Sequence, residues 1–218
     1  MKPVKTVQSI LLLALAVAGL LAPLPAMAQT SLQAGREYTV IDPPRPVATG
    51  SRIEVLELFY YGCPVCYEFQ PLFSRWLNTA PEYVALQRIP VVGNESQDIF
   101  AKLFHSLEAV GQIGRLHWPI YDNHHFDGVK LNEEEVLFDW VTRNGVNREQ
   151  FMAAYNSDEI KKRLVDTDEL MKTLNIRGVP TIVVDGKYLT SARLAGGTRR
   201  LSQVVDLLVK QARRERPN

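Results

Sequence analysis

Ile53-Glu54-Val55-Leu56-Glu57-Leu58-Phe59-Tyr60-Tyr61-Gly62-Cys63-Pro64-Val65-Cys66-Tyr67 is the stretch that decides the reading of this chain. Its first eight residues are nearly all apolar and partly β-branched or aromatic, which suits a central strand covered on both faces. Gly62 ends the strand. Pro64 fits the first turn of a helix, where its missing N–H costs nothing. The strand thus delivers Cys63 to a helix start and Cys66 one turn deeper. These are the 2 cysteines of the chain. A single pair cannot build a disulfide framework, and it gives only two of the four ligands that a closed zinc site needs. What remains is a dithiol that opens and closes as a working redox couple.

A cysteine at a helix N-terminus sits among unsatisfied N–H groups and the positive end of the helix dipole, and both favour thiolate over thiol. In such settings its pKa falls from about 8.5 to somewhere within about 3.5–7.5. Cys63 is placed to be that residue, and Cys66 is expected to be shielded as the resolving thiol. The chemistry is thiol–disulfide exchange. A substrate thiolate attacks the Cys63 sulfur to form a mixed disulfide, and a second substrate thiolate then releases Cys63. The more stable the Cys63 thiolate, the better it leaves and the stronger the oxidant. A structural disulfide, or half a metal site, is the bland alternative.

Working outward, residues 36–41 can form a short strand stopped by Pro43 and Pro44, and the 42–46 stretch is a connector. The helix after Cys63 runs toward Trp76 and Leu77, with Pro71 expected to kink it, and 84–92 reads as the next strand. From Ser96 to Leu174 the pattern turns helical. Ile99, Phe100, Leu103, Phe104 and Leu107 repeat at helical spacing. Asn132 is the expected N-cap before the acidic run 133–135, and Asn147 with Gln150 has a capping-box look. Strand character returns at Thr181-Ile182-Val183-Val184. Asp185-Gly186 then makes a hairpin turn into 187–189, and a last helix starts at Thr198. The order is strand, strand, helix, strand, helical block, hairpin, helix.

Residues 1–28 read as a secretory signal, with Lys2 and Lys5, an apolar core over 10–21 and an Ala26-Met27-Ala28 site placing cleavage after Ala28. The apolar stretch is short for a membrane span. Loss of the leader takes the formal charge from +1 to about −1, so neither nucleic acid nor a lipid surface is expected as partner. Export puts the dithiol in an oxidising compartment, where a lone reactive pair reads as catalytic. The end of the chain, 213–218, reads as a frayed basic tail.

The run 58–67, together with Arg177-Gly178-Val179-Pro180-Thr181 and Val184-Asp185-Gly186-Lys187-Tyr188, resembles the DsbA family of periplasmic disulfide oxidoreductases. The resemblance covers essentially the whole mature chain. It implies an α/β thioredoxin fold with an inserted all-helical domain. The parts would be 29–95 and 175–218 for the thioredoxin-like domain and 96–174 for the insertion. It implies Val179-Pro180 as the cis-proline dipeptide facing the cysteines, with the Val179 backbone open to a bound substrate segment and an apolar ring that disfavours metal capture. It implies a buried acid at Glu57, six residues before Cys63, relaying protons to the resolving thiol, and burial would raise its pKa. The lysine that accompanies this acid in the family has no clear counterpart, since Gln87 or Arg88 stands near its place. Val65 is a second departure, because well-studied members carry histidine between the cysteines. A loss of about 1–2 kcal/mol of thiolate stabilisation makes such a couple less oxidising by roughly 20–45 mV.

The expected function is therefore that of a periplasmic oxidase passing its Cys63–Cys66 disulfide to reduced, unfolded exported proteins. No cofactor or metal is expected. Recharging would come from a DsbB-like quinone-linked membrane oxidase, and the expected state is a monomer. A reductase or isomerase is the second enzyme reading, although 29–35 leaves no room for an added dimerisation domain. A peptide-binding chaperone with a structural disulfide is the non-enzyme reading. His117, His124 and His125 near Asp122 read as surface histidines, and Gly196-Gly197 as part of a substrate-facing loop over 190–197. Phe100, Phe104, Trp118 and Trp140 read as core of the helical block.

Overall fold

The computed structural model describes residues 32 to 216, so the expected leader and its cleavage after Ala28 lie outside the described residues. Strands β1 (Thr39–Val40) and β2 (Ile53–Phe59) lead into helix α1 (Pro64–Leu77) and strand β3 (Val84–Pro90). Five helices follow: α2 (Glu95–Ala109), α3 (Ile113–His125), α4 (Glu134–Arg143), α5 (Arg148–Tyr155) and α6 (Asp158–Thr173). The hairpin β4 (Thr181–Val184) and β5 (Tyr188–Ser191), the single turn α7 (Ala192–Ala195) and the long α8 (Thr198–Glu215) complete the order. The fold is the expected one, a thioredoxin-type sheet whose β3 and β4 are separated in sequence by helices alone.

The sheet runs β1-β5-β4-β2-β3. β2 pairs with β3 in parallel and with β4 antiparallel, so it is central, and every residue in it is buried. A parallel pair needs a crossover, which α1 supplies. Side chains alternate across β2. Ile53 and Val55 meet Phe69 and Phe73 of α1 and Val204, Val205 and Leu208 of α8. Leu56 and Leu58 meet Val183 of β4 and Leu170 of α6 on the other face. Phe59 and Tyr61 carry the apolar layer onward into Phe100, Leu103, Ile120, Trp140 and Phe151 of the helical block.

Several local expectations are corrected. The first strand spans two residues rather than 36–41. Glu133 occupies the cap of α4 and makes no side-chain cap bond, which places Asn132 outside the helix. The segment 190–197 is not a loop: β5 extends through Ser191, whose hydroxyl accepts the Leu194 N–H (3.2 Å) and starts α7. Trp118 is 41% exposed rather than core, and it stacks on Tyr67 in the first turn of α1. The chain end is anchored through residue 216, with Glu215 bound to Lys187 and Arg216 to Asp185. By contrast, Asn147 does cap α5, accepting the Gln150 N–H at 2.9 Å.

The hairpin turn shows why Gly186 is where it is. Asp185 and Gly186 both take positive φ, 55° and 65°, the pattern of a tight hairpin turn. The Gly186 carbonyl accepts the Arg45 N–H (2.9 Å), and a Cβ on Gly186 would run into the Arg45 carbonyl oxygen. Both the conformation and the close backbone approach demand glycine. Gly186→Ala should therefore destabilise the protein by about 2–4 kcal/mol in urea denaturation. Gly114→Ala, on an open helical surface, should be neutral or gain up to about 1 kcal/mol. Equal midpoints for the two variants would refute this.

Candidate redox-active site

The chain leaves β2 through Tyr60 and Tyr61 and turns at Gly62. The Tyr60 hydroxyl is tied to Ser96 Oγ at 2.7 Å, and its ring sits where a Cβ on Gly62 would collide. Only glycine lets the backbone pass so close to a ring held at its far end. Cys63 then donates its N–H to the Tyr60 carbonyl (3.1 Å) and takes an extended conformation as the N-cap of α1. Pro64 follows at the first helical position. The Cys63 sulfur accepts the Cys66 backbone N–H at 3.4 Å, in the role that serine or aspartate oxygen fills at ordinary helix starts.

Both cysteines are free thiols in this structure. Their surroundings push them in opposite directions. The hydrogen bond from Cys66 is the largest influence on Cys63 and, with the Cys66 and Val65 backbone N–H groups, lowers its pKa from 9.0 to about 6 against partial burial and the charge of Glu68. Cys66 is fully buried, and loss of hydration pushes its thiol well above the ordinary range. Across from them, the Val179 carbonyl lies 3.6 Å from the Cys63 sulfur, which as a thiol donates to it. The Val179–Pro180 peptide is cis, as is Asp42–Pro43. Val65 is 40% exposed, so its contribution to the sulfur comes from its backbone rather than its side chain.

Glu57 of β2, whose charge bears on Cys66, has no solvent exposure at all. Its carboxylate accepts from the Gln70 amide and from Arg88 Nε, the latter at 2.8 Å. Burial raises its pKa more than the Arg88 charge and these hydrogen bonds lower it. Arg88 faces Glu57 directly in the parallel register of β2 and β3, so the cation near the acid is Arg88 and not Gln87. The sequence alone does not single out Gln70. Its position one helical turn after Cys66, on a face otherwise occupied by Phe69 and Phe73, was the available signal.

The helical block supplies an aromatic wall. Tyr67 stacks on Trp118 and on His125, with ring centroids 5.4 and 4.9 Å apart, and donates its hydroxyl hydrogen to Asp122 (3.1 Å). His125 Nε2 donates to the Tyr61 carbonyl at 2.7 Å. His117 Nδ1 bonds the Tyr61 hydroxyl at 2.8 Å, and burial holds that imidazole well below the usual histidine range. These histidines are thus buried or half-buried packing groups, not the surface residues expected. The spacing along one helix face in 117, 121 and 125 was the missed signal. Among the described residues no group of three or more His, Cys, Asp or Glu side chains is placed to share an ion. No helix among them is long and apolar enough to cross a membrane.

On the other side of Val179 opens a groove of about 330 Å³, lined by Ile176, Val179, Pro180, Leu189 and Leu194 among others. The structure therefore brings Cys63, Pro64, Cys66, Val179 and Glu57 around one strand end, with Val65 exposed at the rim and Pro180 at the groove.

Comparison with known proteins agrees with this geometry. A family model described as a DSBA-like thioredoxin domain matches residues 83–209, a span that begins after the two cysteines and so does not depend on them. The thiol:disulfide interchange protein DsbA of Azotobacter vinelandii is 36% identical over 187 residues, covering 86% of this chain and 87% of that protein. The protein of the same name from Pseudomonas syringae pv. tomato is 32% identical over 206 residues, covering 94% and 96%. The crystal structure of Pseudomonas aeruginosa DsbA superposes with a TM-score of 0.78 at 33% identity, covering 84% of this chain and 95% of that one. DsbA from Xylella fastidiosa gives 0.77 at 26% identity, covering 84% and 98%. With the fold, its helical insertion and these relatives in agreement, the chain belongs to the DSBA-like thioredoxin family and is a thiol:disulfide oxidoreductase.

Proposed function

We propose that this protein oxidises newly exported, reduced proteins in the periplasm by passing them the Cys63–Cys66 disulfide. The observation that carries the reading is the opposed setting of the two sulfurs. Cys63 is accessible and stabilised as an anion at a helix cap, while Cys66 is buried in apolar surroundings. A substrate thiolate attacks Cys63 Sγ, and the S–S bond breaks with the electron pair going to Cys66. A second substrate thiolate attacks the substrate sulfur of the mixed disulfide, and Cys63 leaves as thiolate. The substrate loses two electrons, which the reduced enzyme now holds. Glu57, whose pKa is raised by burial, is suited to exchange a proton with Cys66 as it leaves, and Arg88 and Gln70 hold that carboxyl in place. Pro64 starts the helix, and Val179 and Pro180 form the wall against which the substrate segment lies.

In the same reading, cleavage after Ala28 releases a monomer. Its thioredoxin-like domain comprises 29–95 and 175–218, and its insertion 96–174. A DsbB-like, quinone-linked membrane oxidase removes the two electrons.

Cys63→Ser should abolish turnover, and Cys66→Ala should accumulate mixed disulfides visible on non-reducing gels. Their absence would count against the scheme. Equilibration with glutathione buffers should place the couple above roughly −180 mV, whereas a value near about −270 mV would make the protein a reductase.

The pH dependence has a defined sign. Cys63 is an acid whose folded value, about 6, lies below its ordinary 9.0. Between those values the folded reduced protein binds fewer protons than the unfolded chain, so this stabilisation grows with pH and is lost as pH falls through 6. The Tm of the reduced protein minus that of reduced Cys63→Ser should rise from pH 5 to pH 9, and iodoacetamide alkylation should show a midpoint near 6. A flat difference would refute the anion-stabilising geometry.

A further inference from the structure

The groove beside Val179 and Pro180 has an electrostatic character that the exchange chemistry does not require. Its lining includes Arg177, in the segment before Val179, and Arg193 on α7, and it includes no acidic side chain. Both arginines are exposed, and neither forms an ion pair with any described residue. Arg45, Arg88, Arg163 and Arg216, by contrast, are each paired with a carboxylate. The next residues add to the same sign. α8 opens with Arg199 and Arg200 and has no acidic residue in its first turn. Cations at the positive end of a helix dipole are disfavoured, so helix stability does not explain them. The acid that bears on the Cys63 sulfur, Glu68, belongs to α1 and lies outside the groove lining. Meanwhile Val179, 3.6 Å from that sulfur through its carbonyl, is part of the lining. A peptide whose cysteine reaches Cys63 along this groove therefore brings its neighbouring residues past Arg177 and Arg193.

We propose that Arg177 and Arg193 select substrate segments carrying Asp or Glu beside the reacting cysteine. The selection rests on the exchange function proposed above and adds a substrate class to it. An apolar floor of Ile176, Leu189 and Leu194 accepts an extended chain, and the two guanidinium groups at its sides pair with carboxylates. Charges at such a rim act on encounter rate and partner choice more than on final affinity, and salt screens them.

The test uses three synthetic dithiol peptides that are identical except that their first cysteine is flanked by Asp, Lys or Ser. Oxidised protein is mixed with each, and the second-order rate of its reduction is measured and expressed per peptide thiolate. That correction matters, because the flanking charges shift the peptide's own thiol pKa. At low ionic strength the Asp peptide should react about fivefold or more faster than the Lys peptide, and the gap should close at about 0.5 M salt. In the Arg177→Glu/Arg193→Glu variant the order should invert. Asp and Lys peptides within about twofold of each other, with the Ser peptide still oxidised, would overturn the selection while leaving the exchange function intact. A gap that persists in the double variant would also overturn the assignment to these arginines. Failure to oxidise even the Ser peptide would overturn the exchange function, and the selection with it. The salt series on the unmodified protein tests the same point without any substitution.

Discussion

The contact between the Cys66 backbone N–H and the Cys63 sulfur, 3.4 Å long, organises the site because it serves two purposes at once. It satisfies one of the orphan donors at the start of α1, and it places a partial positive charge against the Cys63 sulfur. The contact goes with an extended Cys63 followed at once by a helical Pro64, directly after the turn at Gly62 under the Tyr60 ring. Anion stability at the outer sulfur comes first from the hydrogen bond of the Cys66 thiol, to which the backbone N–H groups of Cys66 and Val65 add. Val65, whose side chain is exposed, adds to it through its backbone N–H.

The inner sulfur depends on a different constraint. β2 is covered on both faces, so whatever it carries toward α1 is removed from water. For Ile53 and Val55 this burial is favourable, but for Glu57 it costs hydration. The cost is offset by Arg88, one strand away in register, and by Gln70, on the helix that also carries Cys66. The same low-dielectric layer that raises the carboxyl's pKa also raises that of Cys66. One structural fact, a doubly covered central strand, thereby raises the pKa of both a carboxyl and a thiol.

The walls of the site come from regions far apart in sequence. Helix α3 contributes Trp118, His125 and the Asp122 that fixes Tyr67, so the helical block touches the redox helix through aromatic stacking and hydrogen bonds. The hairpin and α7 contribute the apolar, arginine-flanked groove on the other side. The two walls differ in chemistry, one aromatic and one cationic, and Val179, which the Cys63 sulfur contacts, belongs to the second.

The sequence by itself determined a central strand over 53–60, one residue longer than the one observed, the helix start at Cys63, the helical nature of the block after β3 and the hairpin at Asp185-Gly186. Each of these is written in local chemistry: an apolar run, a proline at N1, a periodic stripe, a turn pair with positive φ. It also identified an acid at Glu57 whose character depends on burial. Only the tertiary structure decided that Arg88 is the acid's partner, that Gln70 joins it, that His117 and His125 are packing groups and that Trp118 lies at the surface. Those facts depend on strand register and on how separate elements pack, and neither is encoded in the few residues around the side chain concerned. Local segments specify their own conformation, whereas a pKa or a pairing is set by whatever the fold brings alongside.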